Sequence, residues 1–390
     1  MTEKRQEKPR PDFPLFPHRN GQWAKKVRGR LFYFGRDPDA ALAKWLDQKD
    51  DLLAGRSPRS KSDAEILVKD AVNEVLSAKE ALVESHELSP YTWSQYHGIC
   101  KLIVGRLGNR RVVDLRPDDF IALRSAFAKG VGLVSLGNRI RITRIVFRHA
   151  FDAELIEKPV KFGPTFKVPS KKNLRADKNT RPKRMLEGDQ LREIIKAAKG
   201  PFKAAILLGL NCAFGQSDIA SLPRSAIDWK TGWLSFPRIK TAVDRRCCLW
   251  PETLAALNDV IATGRTAADA ADADLIFLTQ HERRYVRHYG IETGMKIDGF
   301  GVNFSKILKS LKFDKSGVGF CSLRHVFATI AGESQDQVAV NALMGHQPPD
   351  DEMPSRYRER ISDDRLKAIT ERVRAWLWPN PVKAKKPKSK

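Results

Sequence analysis

Three stretches near the end of the chain decide its reading: SLRHVFAT at residues 322–329, NALMGHQPP at 341–349 and MPSRYRERI at 353–361. Each sets one polar residue of chemical interest, Arg324, His346 and Tyr357, among apolar or basic neighbours. The intervals from Arg324 to His346 and from His346 to Tyr357 are 22 and 11 residues. Taken alone, Tyr357 would read as a packing residue, and an Arg-His pair would mean little. Three such positions in one order are far more specific. His325, beside Arg324, reads as structural. Arg356, Arg358 and Arg360 around Tyr357 read equally as anion contacts or as a solvated basic helix face.

Working outward, residues 185–378 read as one unit that is mostly helical with a small sheet near its start. Glu187–Ala198 and the more apolar Phe202–Leu210 have helical patterns. Strands follow over 233–241 and 245–250, with a turn at Thr241–Asp244, and Pro251-Glu-Thr-Leu opens a further helix. From Ser305 the pattern stays helical almost to Trp378. Residues 158–184 hold ten Lys or Arg, one Asp and four prolines, the composition of a basic linker without helix. Such a segment can lie along a phosphate backbone or merely tether two domains, and Lys171 and Lys172 are its candidate contacts.

Residues 59–157 form a second unit, all helix. Ile66, Val68, Ala71, Val72 and Val75 share one apolar face, and Ser89-Pro90 caps the next helix. Another helix opens at Asp114-Leu-Arg-Pro-Asp-Asp-Phe. The last, from Ser135, turns Ile140, Ile142, Ile145, Val146 and Phe147 inward. Its polar side carries Arg139, Arg141, Arg144 and Arg148, a set of one sign that suits phosphates. Residues 1–58 read as a basic β-hairpin around Asn20-Gly21, with Trp23, Val27, Leu31 and Tyr33 in strands, then a helix from Asp37 to Leu53. This module reads equally as an extra DNA-binding arm or as a minor lobe packed on another domain. Residues 379–390 are a Lys-rich tail.

The 390 residues exceed one ordinary core, and 42% hydrophobic content suffices for packed domains. Seventy Lys and Arg against 46 Asp and Glu give a formal charge of +24. A charge of this size attracts a polyanion, because phosphate contacts release counterions. No long apolar run supports a membrane partner. Five cysteines without a Cys-x-x-Cys pair argue against a disulfide framework or zinc finger. The basic N-terminus lacks a signal peptide, so a cytoplasmic, nucleoid-associated protein is expected. Without an aromatic RNP box, RNA is a weaker candidate than double-stranded DNA.

Over about residues 63–372 the chain resembles the tyrosine recombinase (phage integrase) family. The first quoted stretch resembles the box His-x-Leu-Arg-His-x-x-Ala-Thr, the second the Leu-Gly-His turn, and the third the segment of the nucleophilic tyrosine. RIKT at 238–241 falls where the family has a β-turn lysine, making Lys240 the match. NCAFGQSDIASLPRSAID at 211–228 resembles the first box through Asp218, Leu222 and Asp228. The box's arginine is replaced, its place falling on Gly215 or Gln216, and Cys321 stands at the second-box histidine. The set is thus degenerate. The fold implied is a helical, SAM-like core-binding domain plus a mixed α/β catalytic domain.

The resemblance implies a site-specific recombinase or integrase that cuts and rejoins DNA without metal, ATP or other cofactor. Tyr357 would attack a phosphodiester and form a 3′-phosphotyrosine. A tyrosine hydroxyl has a pKa near 10 and needs help at neutral pH. Arg324 would grip the non-bridging oxygens, Lys240 would protonate the departing 5′-oxygen, and His346 would bind phosphate or assist proton movement. Losing one clamping arginine costs on the order of 3 kcal/mol. Arg238, Arg245 or Arg246 could substitute, or Gln216 could act as a neutral donor; Arg245 and Arg246 are also candidate DNA contacts. Family members act as homotetramers on DNA, usually through exchanged C-terminal helices, and residues 363–378 suit that role; the free protein would be a monomer or weak oligomer. The alternative is an impaired relative that binds DNA as a regulator or architectural factor.

Overall fold

A computed structural model describes residues 8–55, 66–289, 295–347 and 357–379. Arg356, and all but the first residue of the Lys-rich stretch read at 379–390, lie outside these residues. The described chain is mainly helical with small antiparallel sheets, and its buried apolar residues fall into three clusters. No described helix is long and apolar enough to cross a membrane.

The first cluster belongs to a small sheet and one helix. Strands β1 (Phe16–Pro17), β2 (Trp23–Val27) and β3 (Arg30–Gly35) pair antiparallel in that order, and α1 (Pro38–Ala54) packs on them. The turn expected at Asn20-Gly21 joins β1 to β2. A second tight turn at Arg28-Gly29, invisible as an Asn-Gly signal, joins β2 to β3. Trp23 stands edge-on to Phe13 and Phe34 edge-on to Trp45, so the module has its own core.

The second cluster is the helical unit: α2 (Val68–Glu84), α3 (Pro90–Leu107), α4 (Pro117–Ala128) and α5 (Leu133–Asp152). Ser89 caps α3 as its sequence indicates, accepting from the Thr92 amide at 3.2 Å. Phe120, Phe147 and Phe166 are fully buried among aromatic neighbours. Ile145, expected inside, is 38% exposed. The basic segment after this unit also differs from expectation. Between Pro169 and Pro182 it forms α6 (Lys171–Asn179), because Ser170 caps it and the prolines stand outside it. Lys171 and Lys172 are exposed on its first turn.

The third cluster holds α7 (Gly188–Ala197), α8 (Pro201–Asn211), α9 (Gln216–Ala220), β4 (Ile227–Asp228), β5 (Trp233–Ser235), β6 (Arg246–Cys248), α10 (Pro251–Ile261), β7 (Val286–Tyr289), β8 (Met295–Asp298), α11 (Gly299–Ser310), α12 (Cys321–Gly332), α13 (Gln337–Leu343) and α14 (Asp363–Leu377). Strands β4, β5 and β6 form one antiparallel sheet, and β7 pairs with β8 in a hairpin the sequence did not announce. Helix α8 is apolar on all sides and is buried throughout from Ala204 to Asn211. Helix α12 crosses it closely: a Cβ at Gly209 would stand 2.9 Å from Leu323 Cδ1. The buried stripe of α12, Leu323, Val326, Phe327 and Ile330, therefore sits on α8 and turns Arg324 toward the end of α8.

Helix α14, which suits an exchanged arm, packs in this single chain on its own domain's core. Leu366, Ile369, Val373 and Leu377 are buried, and the Trp250 indole N–H donates to the Thr370 carbonyl at 3.0 Å. Trp250 also meets Trp378 edge-on at 5.7 Å. Replacing Trp250 with Ala should remove that bond and leave a cavity, lowering the unfolding free energy by about 3–5 kcal/mol. Chemical denaturation followed by fluorescence measures it; a loss under about 1 kcal/mol would contradict this packing.

Candidate active site

The site is built at the end of α8, where the chain leaves the helix through Cys212 and Ala213. Ala213 has φ +53°, a left-handed conformation unusual for a residue with a Cβ. Its carbonyl accepts a hydrogen bond from Arg324 Nη1 at 2.5 Å. Arg324 Nη2 donates to the Met344 carbonyl, also at 2.5 Å, and lies 3.1 Å from His346 Nε2. One guanidinium thus joins α12, the exit of α8 and the turn after α13. Arg324 and His346, far apart in sequence, are brought into contact.

The hairpin loop between β5 and β6 closes onto the same turn. It tightens over Arg238–Ala242, where the Ala242 amide donates to the Arg238 carbonyl at 2.7 Å. Lys240 sits exposed on this tight turn. The turn is earlier than the Thr241–Asp244 expected. Thr241 Oγ1 donates to the Gly345 carbonyl at 3.0 Å, and Arg238 Nη1 donates to the same oxygen at 3.3 Å. Lys240 is therefore tied, through its neighbours, to the residue preceding His346.

Asp218 fixes the inner side of the loop. Its carboxylate accepts from the Gly215 amide at 3.1 Å and from the Ile239 amide at 3.4 Å, and pairs with Arg245 at 3.3 Å. The Arg245 side chain is fully buried, stacks over Phe214 at 4.0 Å and donates to the carbonyls of Phe236 and Pro237. It faces inward and cannot serve as the DNA contact expected of it. Arg246 points the other way. It pairs with Asp363 at 2.8 Å and lies over Trp233, so it anchors α14 to the sheet.

The remaining expected positions divide. Gln216 donates to Asp298 at 3.1 Å, so its amide already has a carboxylate partner. Cys321, at the second-box histidine position, is exposed at the start of α12, and His325 is exposed too. Tyr357 is 78% exposed and makes no hydrogen bond among the described residues. The next residues, Arg358–Ile361, share a cavity of about 520 Å³ with His346, Asn341, Phe236 and Arg245. Tyr357 thus leads into the wall of the cavity that His346 lines, without touching Arg324 or His346. In the helical unit, Arg139 donates to the Phe127 carbonyl and Arg144 to that of Phe166. Arg148 pairs with Asp152, and Arg141 stands exposed.

Sequence reasoning singled out Asp218 without its role and overlooked Gly345. Gly345 has φ +59°, and a Cβ there would lie 2.8 Å from Arg238 Cβ and from Arg245 Cδ. The glycine lets both arginines pass close to the turn that carries His346.

Positive charge crowds this site. Burial, then Arg238, lowers the Arg324 pKa to about 10. Burial, then Arg324 and Arg238, holds His346 below the usual histidine range, so its imidazole is neutral near pH 7. His325 is lowered by burial and by Arg184, Lys178 and Arg324. Among the described residues, no group of three or more His, Cys, Asp or Glu side chains is arranged to hold a metal ion.

A model of the phage integrase family matches residues 184–361 of this chain. Similar solved structures include a lambda integrase dimer bound to a COC′ core site. It shares 17% identity and a TM-score of 0.56 and aligns over 92% of this chain and 98% of that one. A lambda integrase tetramer bound to a Holliday junction gives 16% identity, a TM-score of 0.55 and coverages of 90% and 98%. The Tn1549 transposon integrase in complex with a circular-intermediate DNA gives 16%, 0.55, 79% and 100%. At these identities the likeness speaks for the fold. No curated protein matches the chain.

Two predictions follow from the site. Gly345→Ala should destabilise the protein by about 2–4 kcal/mol, from left-handed strain and the displaced arginines, and should shift the His346 ring signal in NMR spectra. A variant with unchanged stability and spectrum would contradict the close approach. The second concerns pH. The folded histidines bind protons less readily than unfolded ones, so the unfolded state holds more protons below the ordinary pKa of 6.5. Stability should then be fully present above about pH 7 and fall as pH drops through about 6.5. His346→Gln should flatten the part of that slope due to His346, as measured by denaturation at several pH values; an unchanged slope would contradict the assignment.

Proposed function

We propose that the protein is a site-specific DNA strand transferase that cuts and rejoins DNA through Tyr357. The observation that carries this reading is the cationic turn around Gly345, where Arg324, His346 and the Lys240 loop meet. The net charge of +24 draws double-stranded DNA. Arg324 then holds a non-bridging oxygen of the scissile phosphate, its planar donors matching that group. The Tyr357 oxygen attacks phosphorus, the phosphorus–O5′ bond breaks, and Lys240 protonates O5′. The neutral imidazole of His346 accepts the phenolic proton. The 3′-phosphotyrosine conserves the bond energy, so reversal by another 5′-hydroxyl rejoins DNA without ATP or metal. Cutting and rejoining two duplexes calls for several copies on DNA, a homotetramer in this proposal, with a cytoplasmic, nucleoid-associated location. Residues 59–157 and 185–378 would grip opposite sides of the duplex, with Arg141, Lys171 and Lys172 on its backbone and residues 1–58 as an additional arm. Exposed Tyr357 and the lost first-box arginine favour a second reading, a DNA-binding relative that performs no chemistry.

The test is covalent capture from a random-sequence duplex pool nicked in one strand. The wild-type protein should yield an adduct that survives boiling in detergent, with DNA attached to the Tyr357 peptide by mass spectrometry. Tyr357→Phe should abolish the adduct while leaving duplex binding within about threefold. Binding without any adduct from the wild type would establish the second reading.

A further inference from the structure

We infer that Arg238 is the second phosphate-clamping guanidinium of this site, standing in for the arginine absent at Gly215. This deepens the strand-transfer reading and rests on it. The argument begins with the cations already engaged. Arg245 is sealed between Asp218, Phe214 and two loop carbonyls. Arg246 is held by Asp363. Gln216, the neutral alternative, is held by Asp298. The heads of Arg245 and Gln216 are thus engaged inside the fold, and that of Arg246, at the surface, is paired with a carboxylate.

Arg238 differs in each respect. It is half-buried, and it has no carboxylate partner among the described residues. Among the described residues its guanidinium makes one hydrogen bond, from Nη1 to the Gly345 carbonyl at 3.3 Å, which is long and leaves the other donors uncommitted. Its side chain runs along Gly345, the residue joining Met344 to His346, and Arg324 bonds both of those neighbours. Two guanidiniums from different elements, α12 and the β5–β6 loop, therefore converge on one turn. After burial, the charge of Arg238 is among the causes that lower both Arg324 and His346. Arg245 takes up the carboxylate of Asp218, whose charge reaches Arg324 without a contact, so the positive charge beside Arg238 is not fully offset. An anion bound between Arg238 and Arg324 would relieve that repulsion, and a phosphodiester provides one with two non-bridging oxygens.

The backbone at Gly215 explains how the substitution is accommodated. An added Cβ there would meet only Asp218 Oδ2, at 3.6 Å. That space is open, and its φ of −90° suits any residue. A side chain from 215 is thus absent rather than excluded, and Arg238 approaches the turn from the hairpin side.

The experiment measures the initial rate of adduct formation on the nicked random-sequence pool, with duplex occupancy measured in parallel. Arg238→Gln keeps a donor for the Gly345 carbonyl and so preserves the loop. It should slow adduct formation on the order of 10²-fold or more with occupancy changed only a few-fold. Arg238→Lys should fall between. Adding Gly215→Arg to Arg238→Gln should recover at least tenfold, which a merely structural role for Arg238 would not allow. The inference is overturned if Arg238→Gln reacts at the wild-type rate, if its loss only tracks lost occupancy, or if the double variant shows no recovery. A wild-type protein that forms no adduct overturns the strand-transfer reading itself, and Arg238 with it. Wild-type and Arg238→Gln proteins that react alike overturn the arginine assignment alone.

Discussion

One buried carboxylate organises the larger, C-terminal domain of this molecule. Asp218 accepts from the start of α9, from the amide of Ile239 in the hairpin loop and from the guanidinium of Arg245. Taking an ion pair out of water is costly, and the cost is offset only where both partners have further hydrogen bonds. Arg245 has two carbonyls and an aromatic face, and Asp218 has two amides. Removing either partner would leave a buried charge, a loss on the order of 3–5 kcal/mol. The loop that bears Arg238 and Lys240 thus owes its position to a pair deep beneath it. The turn at Gly345 leans on the same pair through the Arg245 side chain.

The scaffold and the site use opposite strategies. Where α8 crosses α12, the contact is apolar and close, with Leu323 against Gly209. Such packing tolerates little displacement, because a filled core has no room for adjustment. At the ends of the same helices the chain gathers cations, a neutral imidazole and a left-handed Ala213. Arg324 bonds the Ala213 carbonyl and the His346 ring, but Arg238 adds like charge beside them. Their positions are imposed by the helices behind them, which is how a preorganised site for an anion is made.

Much of this was legible in the sequence. The order Arg324, His346, Tyr357, with Lys240 on a β-hairpin, is a chemical pattern, and the fold brings the first two into contact and ties the lysine's loop beside them. Helix faces were legible because burial enforces periodicity, as in α12. Other features left no such trace. Nothing in the Arg245-Arg246 doublet says that one side chain turns inward to Asp218 and the other outward to Asp363. The helix at Lys171–Asn179 was hidden because four prolines weigh on composition, although all lie outside it. The close approach at Gly345 depends on two arginines from a distant loop. The covering of α14 was legible for the same reason as that of α12, but an apolar stripe records that a helix is covered, not by which chain.

The attachment of α14 has a mechanical consequence. Asp363 is clamped to the sheet by Arg246, and Arg365 to α13 by Asp336. Only five residues, 358–362, lie between Tyr357 and Asp363. Fully extended, that tether spans about 20 Å. If a DNA strand is esterified to the phenol, its 3′ end is leashed to a fixed post. Any large excursion during strand exchange would then belong to the free 5′ end or to the duplex as a whole.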